Sequence, residues 1–208
     1  VFVTVAEGDN YYGVTEAYTG KSFTISRATV AIPEAAEGLV YNGSEQTGVA
    51  GGELYTVTGG SATNAYGYTA TVSLKDSANY VWADNTDADK DIAWSIAPKT
   101  ISAGDISWAY TNGGVADGAE QPLNISAGSA SLTYNGHEYV LSASFAGEGA
   151  DGRIALDVAD GTFTNKGSYP VSAAMPTAYS GNYVLAEGAG SITADVAEGV
   201  ASVSAATY

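Results

Sequence analysis

The sequence predicts an all-β fold of tandem β-sandwich repeats with essentially no helix. Its 208 residues include 26 Gly and 15 Tyr, and a chain rich in Gly, aromatic and β-branched residues favours strands joined by tight turns. Apolar residues do not recur at the helical spacing i, i+3, i+4, i+7 over any useful length. The chain is also about twice as long as a sandwich of about 100 residues, so we expect more than one unit.

Short motifs recur in a fixed order along the chain, and this repetition is the second basis for the prediction. In the middle of the chain they are Val40-Tyr41-Asn42-Gly43, Thr63-Asn64-Ala65-Tyr66-Gly67-Tyr68, Asn79-Tyr80-Val81-Trp82 and Ile92-Ala93-Trp94-Ser95-Ile96. Later they are Thr133-Tyr134-Asn135-Gly136, Thr164-Asn165-Lys166-Gly167-Ser168-Tyr169, Asn182-Tyr183-Val184-Leu185 and Ser191-Ile192-Thr193-Ala194. The first residues match only the second half of this order.

The motifs divide the chain into four parts. Residues 1–29 are predicted to form the C-terminal half of a preceding repeat, and residues 30–101 a complete repeat. Residues 102–198 are predicted to form a divergent repeat with an inserted hairpin, and residues 199–208 the start of a next repeat or a linker. We therefore expect the chain to be a segment of a longer tandem-repeat protein.

Individual strands and turns follow from local patterns. Asn42-Gly43 and Asn135-Gly136 predict tight hairpin turns, because Asn and Gly tolerate the positive φ of a type I′ turn. Apolar and polar residues alternate from Tyr68 to Leu74 and again from Tyr169 to Ala173, which is typical of strands with one buried face. Tyr68 and Tyr169 each follow a Thr-Asn corner, so each hydroxyl is expected to bond to nearby backbone.

An unmatched stretch separates the two complete blocks. It contains Ile106-Ser107-Trp108-Ala109-Tyr110 and a turn-like Asn112-Gly113-Gly114. We expect this insert to add a hairpin or a strand to the divergent repeat, because a free linker would leave Trp108 and Tyr110 exposed to water.

Charge and composition exclude several classes of function. Seven Lys and Arg stand against 23 Asp and Glu, giving a net charge of −16, which repels nucleic acids and anionic membrane surfaces. The chain has no Cys, which removes disulfides, zinc-thiolate sites and thiol catalysis. No apolar run approaches the roughly 20 residues that span a bilayer, so no membrane insertion is expected within these residues.

The motifs together resemble the MBG-type immunoglobulin-like repeats of bacterial cell-surface proteins. The resemblance lies in Tyr-Asn-Gly, Thr-Asn-x-x-x-Tyr-Thr-x-Thr-Val, Asn-Tyr-x-Trp and Trp-Ser-Ile before Lys-Thr-Ile-Ser, and it is closest over residues 41–102. The later block departs from it with Pro170 after its Tyr and Ala194 where the earlier block has Ser95. The resemblance implies an extracellular immunoglobulin-like array, found in adhesins, with no catalytic residues. It also implies anchoring to the cell wall through other regions.

One loop offers candidate metal ligands. Asp84, Asp87 and Asp89 lie close together in sequence, and calcium is bound by six to eight oxygens of this kind. The loop lacks the Gly and the twelfth-position Glu of an EF-hand loop. Calcium is thus one hypothesis, and a charged, solvated hairpin tip without a cofactor is the other.

Aromatic side chains offer a candidate ligand site. Trp108 and Tyr110 in the insert are the best placed to stack on a host glycan or to bind a host protein, whereas Trp94 lies on an alternating strand and is expected in the core. His137 is the only His and follows a predicted turn, so no catalytic triad is expected and the chain is predicted not to be an enzyme. A structural stalk whose partners are neighbouring repeats is the leading hypothesis. Strand exchange with another copy through residues 1–26 is an alternative.

Overall fold

The computed structural model describes residues 2–5, 14–18, 25–115 and 118–200, the first two segments as strand backbone only. The strands up to residue 98 are β1 (Phe2–Val5), β2 (Val14–Tyr18), β3 (Ala28–Val30), β4 (Gln46–Thr47), β5 (Tyr55–Thr58), β6 (Ser61–Ala62), β7 (Tyr66–Leu74), β8 (Tyr80–Trp82) and β9 (Lys90–Ile96). The strands after it are β10 (Lys99–Ile101), β11 (Ile106–Asn112), β12 (Gln121–Leu123), β13 (Ile125–Ser126), β14 (Ser129–Thr133), β15 (Tyr139–Ala146), β16 (Arg153–Ala155), β17 (Asp157–Ala159), β18 (Thr162–Phe163), β19 (Gly167–Ala174), β20 (Tyr183–Leu185) and β21 (Ser191–Ala197).

The all-β prediction is confirmed. Helical residues in the described part of the chain are limited to short 3-10 turns such as Ala103–Asp105. The alternation predicted from Tyr68 to Leu74 falls on β7, where Ala70 and Val72 are fully buried. Inward and outward residues alternate along β19 in the same way. Sheets therefore pack around a common core in a sandwich-like arrangement.

Strand pairing divides the described chain into two units, which we call the first unit (residues 25–98) and the second unit (residues 99–198). In the first unit the main sheet has the order β5-β7-β9, with Val40 in a parallel bridge to Ala97 beside β9. The second unit repeats this arrangement as β17-β19-β21-β14, with β13 added at the edge of β14. The first strand of each unit also pairs in the same way, because β3 is parallel to β8 and β10 is parallel to β20.

The boundaries drawn by pairing differ slightly from those drawn by motif. β3 begins in the predicted half repeat 1–29 but pairs with β8, and β10 ends the predicted repeat 30–101 but pairs with β20. Within the half repeat, β1 and β2 pair antiparallel, whereas residues 1, 6–13 and 19–24 lie outside the described part. Residues 201–208 also lie outside it. The predictions for 1–29 and 199–208 therefore stay predictions.

The insert adds strands to the second unit, as predicted. β11 pairs with β15 along its full length, from Ile106 opposite Phe145 to Asn112 opposite Tyr139. β12 pairs with the other edge of β11. The resulting sheet has the order β12-β11-β15-β16, with β18 also bonded to β15. Its counterpart in the first unit is the two-stranded pair β4 and β6.

The two Asn-Gly turns are present but are not hairpins. The positive φ falls on Gly43 (+79°) and Gly136 (+83°) and not on the preceding Asn, so neither turn is type I′. The Asn side chain closes the turn by accepting the N–H two residues on, at 2.9 Å for Asn42 and 3.1 Å for Asn135. Each turn carries the chain from the main sheet to the opposite sheet, because its flanking strands pair with different partners.

The predicted tyrosine hydroxyl contacts are confirmed in both units. The Tyr68 hydroxyl donates to the Asn64 carbonyl at 2.8 Å, and the Tyr169 hydroxyl donates to the Asn165 carbonyl at 2.8 Å. Each bond spans four residues and ties the Thr-Asn corner to the strand that follows it. The repeated motif thus has a repeated local structure.

The aromatic partner of this tyrosine differs between the units. Tyr68 stacks on Trp94 of β9 with centroids 4.7 Å apart, whereas Tyr169 stacks on Phe163 of β18 at 4.5 Å. Strand register places Ala194 where the first unit has Trp94, since Tyr68 faces Trp94 and Tyr169 faces Ala194. The motif alignment of Ala194 with Ser95 is therefore corrected by one residue.

Candidate functional site at the junction of the two units

A very short link joins the two units. β9 ends at Ile96 and β10 begins at Lys99, so Ala97 and Pro98 form the whole connection. Both ends of the link are bonded to backbone, because Tyr41 N–H donates to the Ala97 carbonyl and Lys99 N–H donates to the Asn182 carbonyl, each at 2.9 Å. Proline in the link also fixes one backbone angle. The link therefore has little freedom to bend.

One carboxylate holds a tyrosine from each unit. The Tyr41 hydroxyl of the first unit donates to Glu148 Oε1 at 2.6 Å, and the Tyr183 hydroxyl of the second unit donates to Glu148 Oε2. Bonds from a neutral donor to a carboxylate are stronger than those between neutral groups. We call Glu148, Tyr41 and Tyr183 the Glu148 clamp.

The two tyrosine rings also pack together. Tyr41 and Tyr183 meet edge to face with centroids 5.3 Å apart, and Tyr183 meets Phe145 of β15 at 5.1 Å. Tyr41 is 6% exposed and Tyr183 is 4% exposed. Such aromatic pairs contribute about 0.5–1.5 kcal/mol beyond the apolar area that they bury. The hydrophobic core is thereby continuous across the junction.

A second polar contact crosses the junction beside the clamp. The Asn182 side chain accepts from Ala65 N–H at 2.8 Å and donates to the Asn64 side chain at 3.1 Å. Asn182 lies in the turn that leads into β20, and Asn64 lies in the Thr-Asn corner before β7. Two features that recur in the motif pattern, Thr-Asn and Asn-Tyr, therefore meet at this junction.

The clamp shifts the pKa of each of its three groups. The hydrogen bond to Glu148, burial and the negative charge of Glu148 raise the pKa of Tyr41 to about 12. Burial and the hydrogen bond to Glu148 also raise the pKa of Tyr183. Burial tends to raise the pKa of Glu148, but the hydroxyls of Tyr183 and Tyr41, aided by Lys99, lower it overall. At neutral pH, Glu148 is thus ionised and both hydroxyls keep their protons.

Glu148 is positioned by a hairpin that the first unit lacks. It lies between β15 and β16, whereas in the first unit residues 48–54 lead from β4, the equivalent of β15, to β5, the equivalent of β17, without a strand like β16. Its neighbour Gly149 approaches the backbone so closely that a Cβ would lie 1.9 Å from the Arg153 carbonyl oxygen. Glu148 falls outside the repeated motifs, so the sequence patterns did not predict its role. The Gly-Glu-Gly triplet of residues 147–149 was the only available signal.

The predicted calcium ligands are not brought together. Asp84 accepts from Lys90 at 2.6 Å and Asp87 accepts from Arg27 at 2.6 Å, while Asp89 is exposed. The bonds from Lys90 and then Thr86 lower the pKa of Asp84 to about 2, and the bond from Arg27 lowers the pKa of Asp87. No group of three acidic or histidine side chains suited to a metal occurs in the described part of the chain.

The two rings of the predicted aromatic site are not exposed to a ligand in solvent. Trp108 is 4% exposed on the inner face of β11, so the exposure that sugar stacking requires is absent. Tyr110 is half-buried and packs against Tyr139 with centroids 5.5 Å apart. The physical reason is that Trp108 and Tyr110, two residues apart on β11, lie on the same face of their sheet, and this face packs against the core. Trp94 is buried, as predicted, and donates its indole N–H to the Gly59 carbonyl at 3.0 Å.

Comparisons with protein families, with curated proteins and with solved structures find no match. No helix in the described part of the chain is long and apolar enough to cross a membrane. The polar groups of the junction are hydrogen-bonded to one another across the two units, so what they can do is hold the units together.

Proposed function

We propose that this chain is a structural spacer, a segment of the stalk of a bacterial cell-surface, adhesin-like repeat protein that projects a distal binding region. The observation that carries the proposal is the junction itself. A two-residue link, the Glu148 clamp and the Asn182 contacts join one unit to the next. These contacts hold the units in a defined relative orientation.

The path of the chain supports the same proposal. In the first unit the chain begins beside Asn79, whose carbonyl accepts Ala28 N–H, close to the turn that follows β7. It leaves at Ala97, at the far end of β9, beside Tyr41. The second unit follows the same path from Lys99 beside Asn182 to Ala197 beside Tyr134. A chain that begins and ends each unit at opposite ends adds length with every unit.

We further propose that the units are immunoglobulin-like repeats of the MBG type, placed outside the cell. Support comes from the motif order, from the tyrosine hydroxyl bonds that recur in both units, and from pairing of the main sheet that recurs as well. The dispersed net charge of −16 suits an exposed, well-solvated stalk.

The spacer proposal is tested by the spread of end-to-end distances. The chain has no Cys, so spin labels can be placed at Ser77→Cys and Glu138→Cys, exposed positions at opposite ends of the described pair of units. Pulsed electron paramagnetic resonance should give one narrow distance distribution. The variant Glu148→Ala/Asn182→Ala, which leaves the link intact, should broaden it. A broad distribution in the native chain, equal to that of the variant, would refute a fixed junction.

A further inference from the structure

The C-terminal end of the second unit repeats the part of the first unit that binds its neighbour. Tyr134 occupies the position of Tyr41, because its N–H donates to the Ala197 carbonyl at 2.9 Å as Tyr41 N–H does to Ala97. Both tyrosines belong to a Tyr-Asn-Gly turn. They differ in exposure, since Tyr41 is 6% exposed and Tyr134 is 41% exposed.

The asparagine of the filled junction also has an equivalent. Asn165 corresponds to Asn64, since the backbone carbonyl of each accepts a tyrosine hydroxyl at 2.8 Å. Asn165, Tyr134, Lys166, Glu198 and Gly199 line an open depression of about 290 Å³. We call these five residues the Tyr134 face.

We infer that the Tyr134 face is a docking surface for another unit of the same kind as the second unit. Its occupant would offer the Tyr134 hydroxyl a carboxylate from a hairpin like that of Glu148. It would also offer Asn165 and the Lys166 N–H an asparagine like Asn182. The inference rests on the proposed spacer function, because a further unit docked here continues the array in the same direction.

The Tyr134 face carries one cation and one carboxylate, so it has no net charge to repel an arriving carboxylate. At the filled junction, Lys99 lies near enough to Glu148 to help lower its pKa. Gly199 stands at the position equivalent to Lys99 in the second unit, but Lys166 replaces Ala65 and forms an ion pair with Glu198 at the rim. Lys166 therefore brings a cation to the Tyr134 face that the first unit lacks at Ala65, and its charge balances that of Glu198. The face has no net charge, although the whole chain carries a net charge of −16.

A tandem protein tests the inference directly. Residues 1–198 are followed by a second copy of residues 99–198, so that Glu198 takes the place of Pro98 and the link keeps its length. The readout is hydrogen exchange of the Lys166 amide, with isotope labelling restricted to residues 1–198. Ala65 N–H donates to Asn182 at the filled junction, so the Lys166 N–H should acquire the same bond. We expect its exchange to slow about tenfold relative to the single chain.

The matched control is the same tandem protein with Glu148→Ala and Asn182→Ala in the appended copy only. There, exchange at Lys166 should return to the single-chain rate. Equal exchange in the tandem and single chains would overturn the docking surface, provided that a second sample, labelled only in the appended copy, shows the strands of that copy to be protected. Slowing that survives in the control, or that appears in the single chain as its concentration rises, would also overturn it. The native first junction is unchanged throughout, so such a failure leaves the spacer proposal standing.

Discussion

The two units build similar sheets around differently filled cores. In the first unit a tryptophan on β9, Trp94, lies over Gly48, where an added Cβ would come within 1.9 Å of the ring. In the second unit the equivalent residues are Ala194 and Leu141, as strand pairing shows. The first unit thus has a large residue on β9 and a glycine facing it, whereas the second unit has a small residue on β21 and a leucine facing it.

A third position completes the exchange. Ala62 of β6 corresponds to Phe163 of β18, because each pairs with the strand that follows the Asn-Gly turn. The ring that stacks on the repeated tyrosine therefore comes from β9 in one unit and from β18 in the other. Packed interiors tolerate such exchanges when total volume is kept. The comparison shows that both units keep the same main sheet and the same tyrosine, Tyr68 or Tyr169, while the core side chains packed around that tyrosine differ.

Removing the first unit's central ring should have the largest effect. Trp94→Ala deletes a buried ring without supplying the Leu and Phe that fill this space in the second unit, and it should cost about 3–5 kcal/mol. Urea unfolding followed by circular dichroism measures this. A cost under about 1 kcal/mol would mean that the ring does not fill the core.

The effects of substitutions at Gly48 and Trp94 on the free energy of unfolding should be coupled. Gly48→Leu alone forces a side chain into the Trp94 ring and should cost about 1–3 kcal/mol, in the range for overpacked cores. Combined with Trp94→Ala, which imitates the second unit, it should cost less than the sum of the two single variants by at least about 1 kcal/mol. A double-mutant cycle by urea unfolding gives the coupling. If the two free-energy costs simply add, the proposal that Trp94 and a side chain at position 48 compete for the same space is contradicted.

Equivalent tyrosines should respond unequally to loss of the hydroxyl. Tyr41→Phe removes a hydrogen bond to the Glu148 carboxylate and should destabilise the chain by about 1.5 kcal/mol. Tyr134→Phe, at the exposed equivalent position, is the matched control and should change stability by under about 0.5 kcal/mol. Equal effects in the same unfolding assay would show that the clamp contributes nothing.

The clamp should also give the junction a defined pH window. The pKa of Glu148 is lowered from 4.5, so its contribution is complete above pH 4.5 and is lost as the pH falls through the lower folded value. The pKa of Tyr41 is raised from 10.0 to about 12, so its contribution is complete below pH 10 and is lost as the pH rises toward 12. The stability difference between the native chain and Glu148→Gln, measured against pH, should therefore be a plateau that falls on both sides. A difference that does not vary with pH would contradict the clamp.

Sequence patterns predicted the parts of the fold that depend on local order. Alternation located β7 and β19, and the Thr-Asn corner predicted the hydroxyl bonds of Tyr68 and Tyr169. The insert was expected to add strands, and β11 and β12 do so. Each of these features depends on residues close together in the chain.

Features that depend on distant contacts could not be predicted in this way. The Asn-Gly turns look like hairpin turns until the pairing of their flanking strands is known. The burial of Trp108 depends on β15, which lies about thirty residues away. Glu148 belongs to no repeated motif and acquires its role only where two units meet. The different core packing around Trp94 likewise depends on residues of β9, of β6 and of the segment after β4, which are far apart in the chain.

The most direct test of the account is whether the two units keep one fixed orientation. Residual dipolar couplings of backbone amides, fitted separately for residues 25–98 and 99–198 in the full chain, report the alignment of each unit. The account predicts that both sets fit a single alignment tensor in the native chain and two different tensors in Glu148→Ala/Asn182→Ala. Two tensors of different magnitude in the native chain would contradict it.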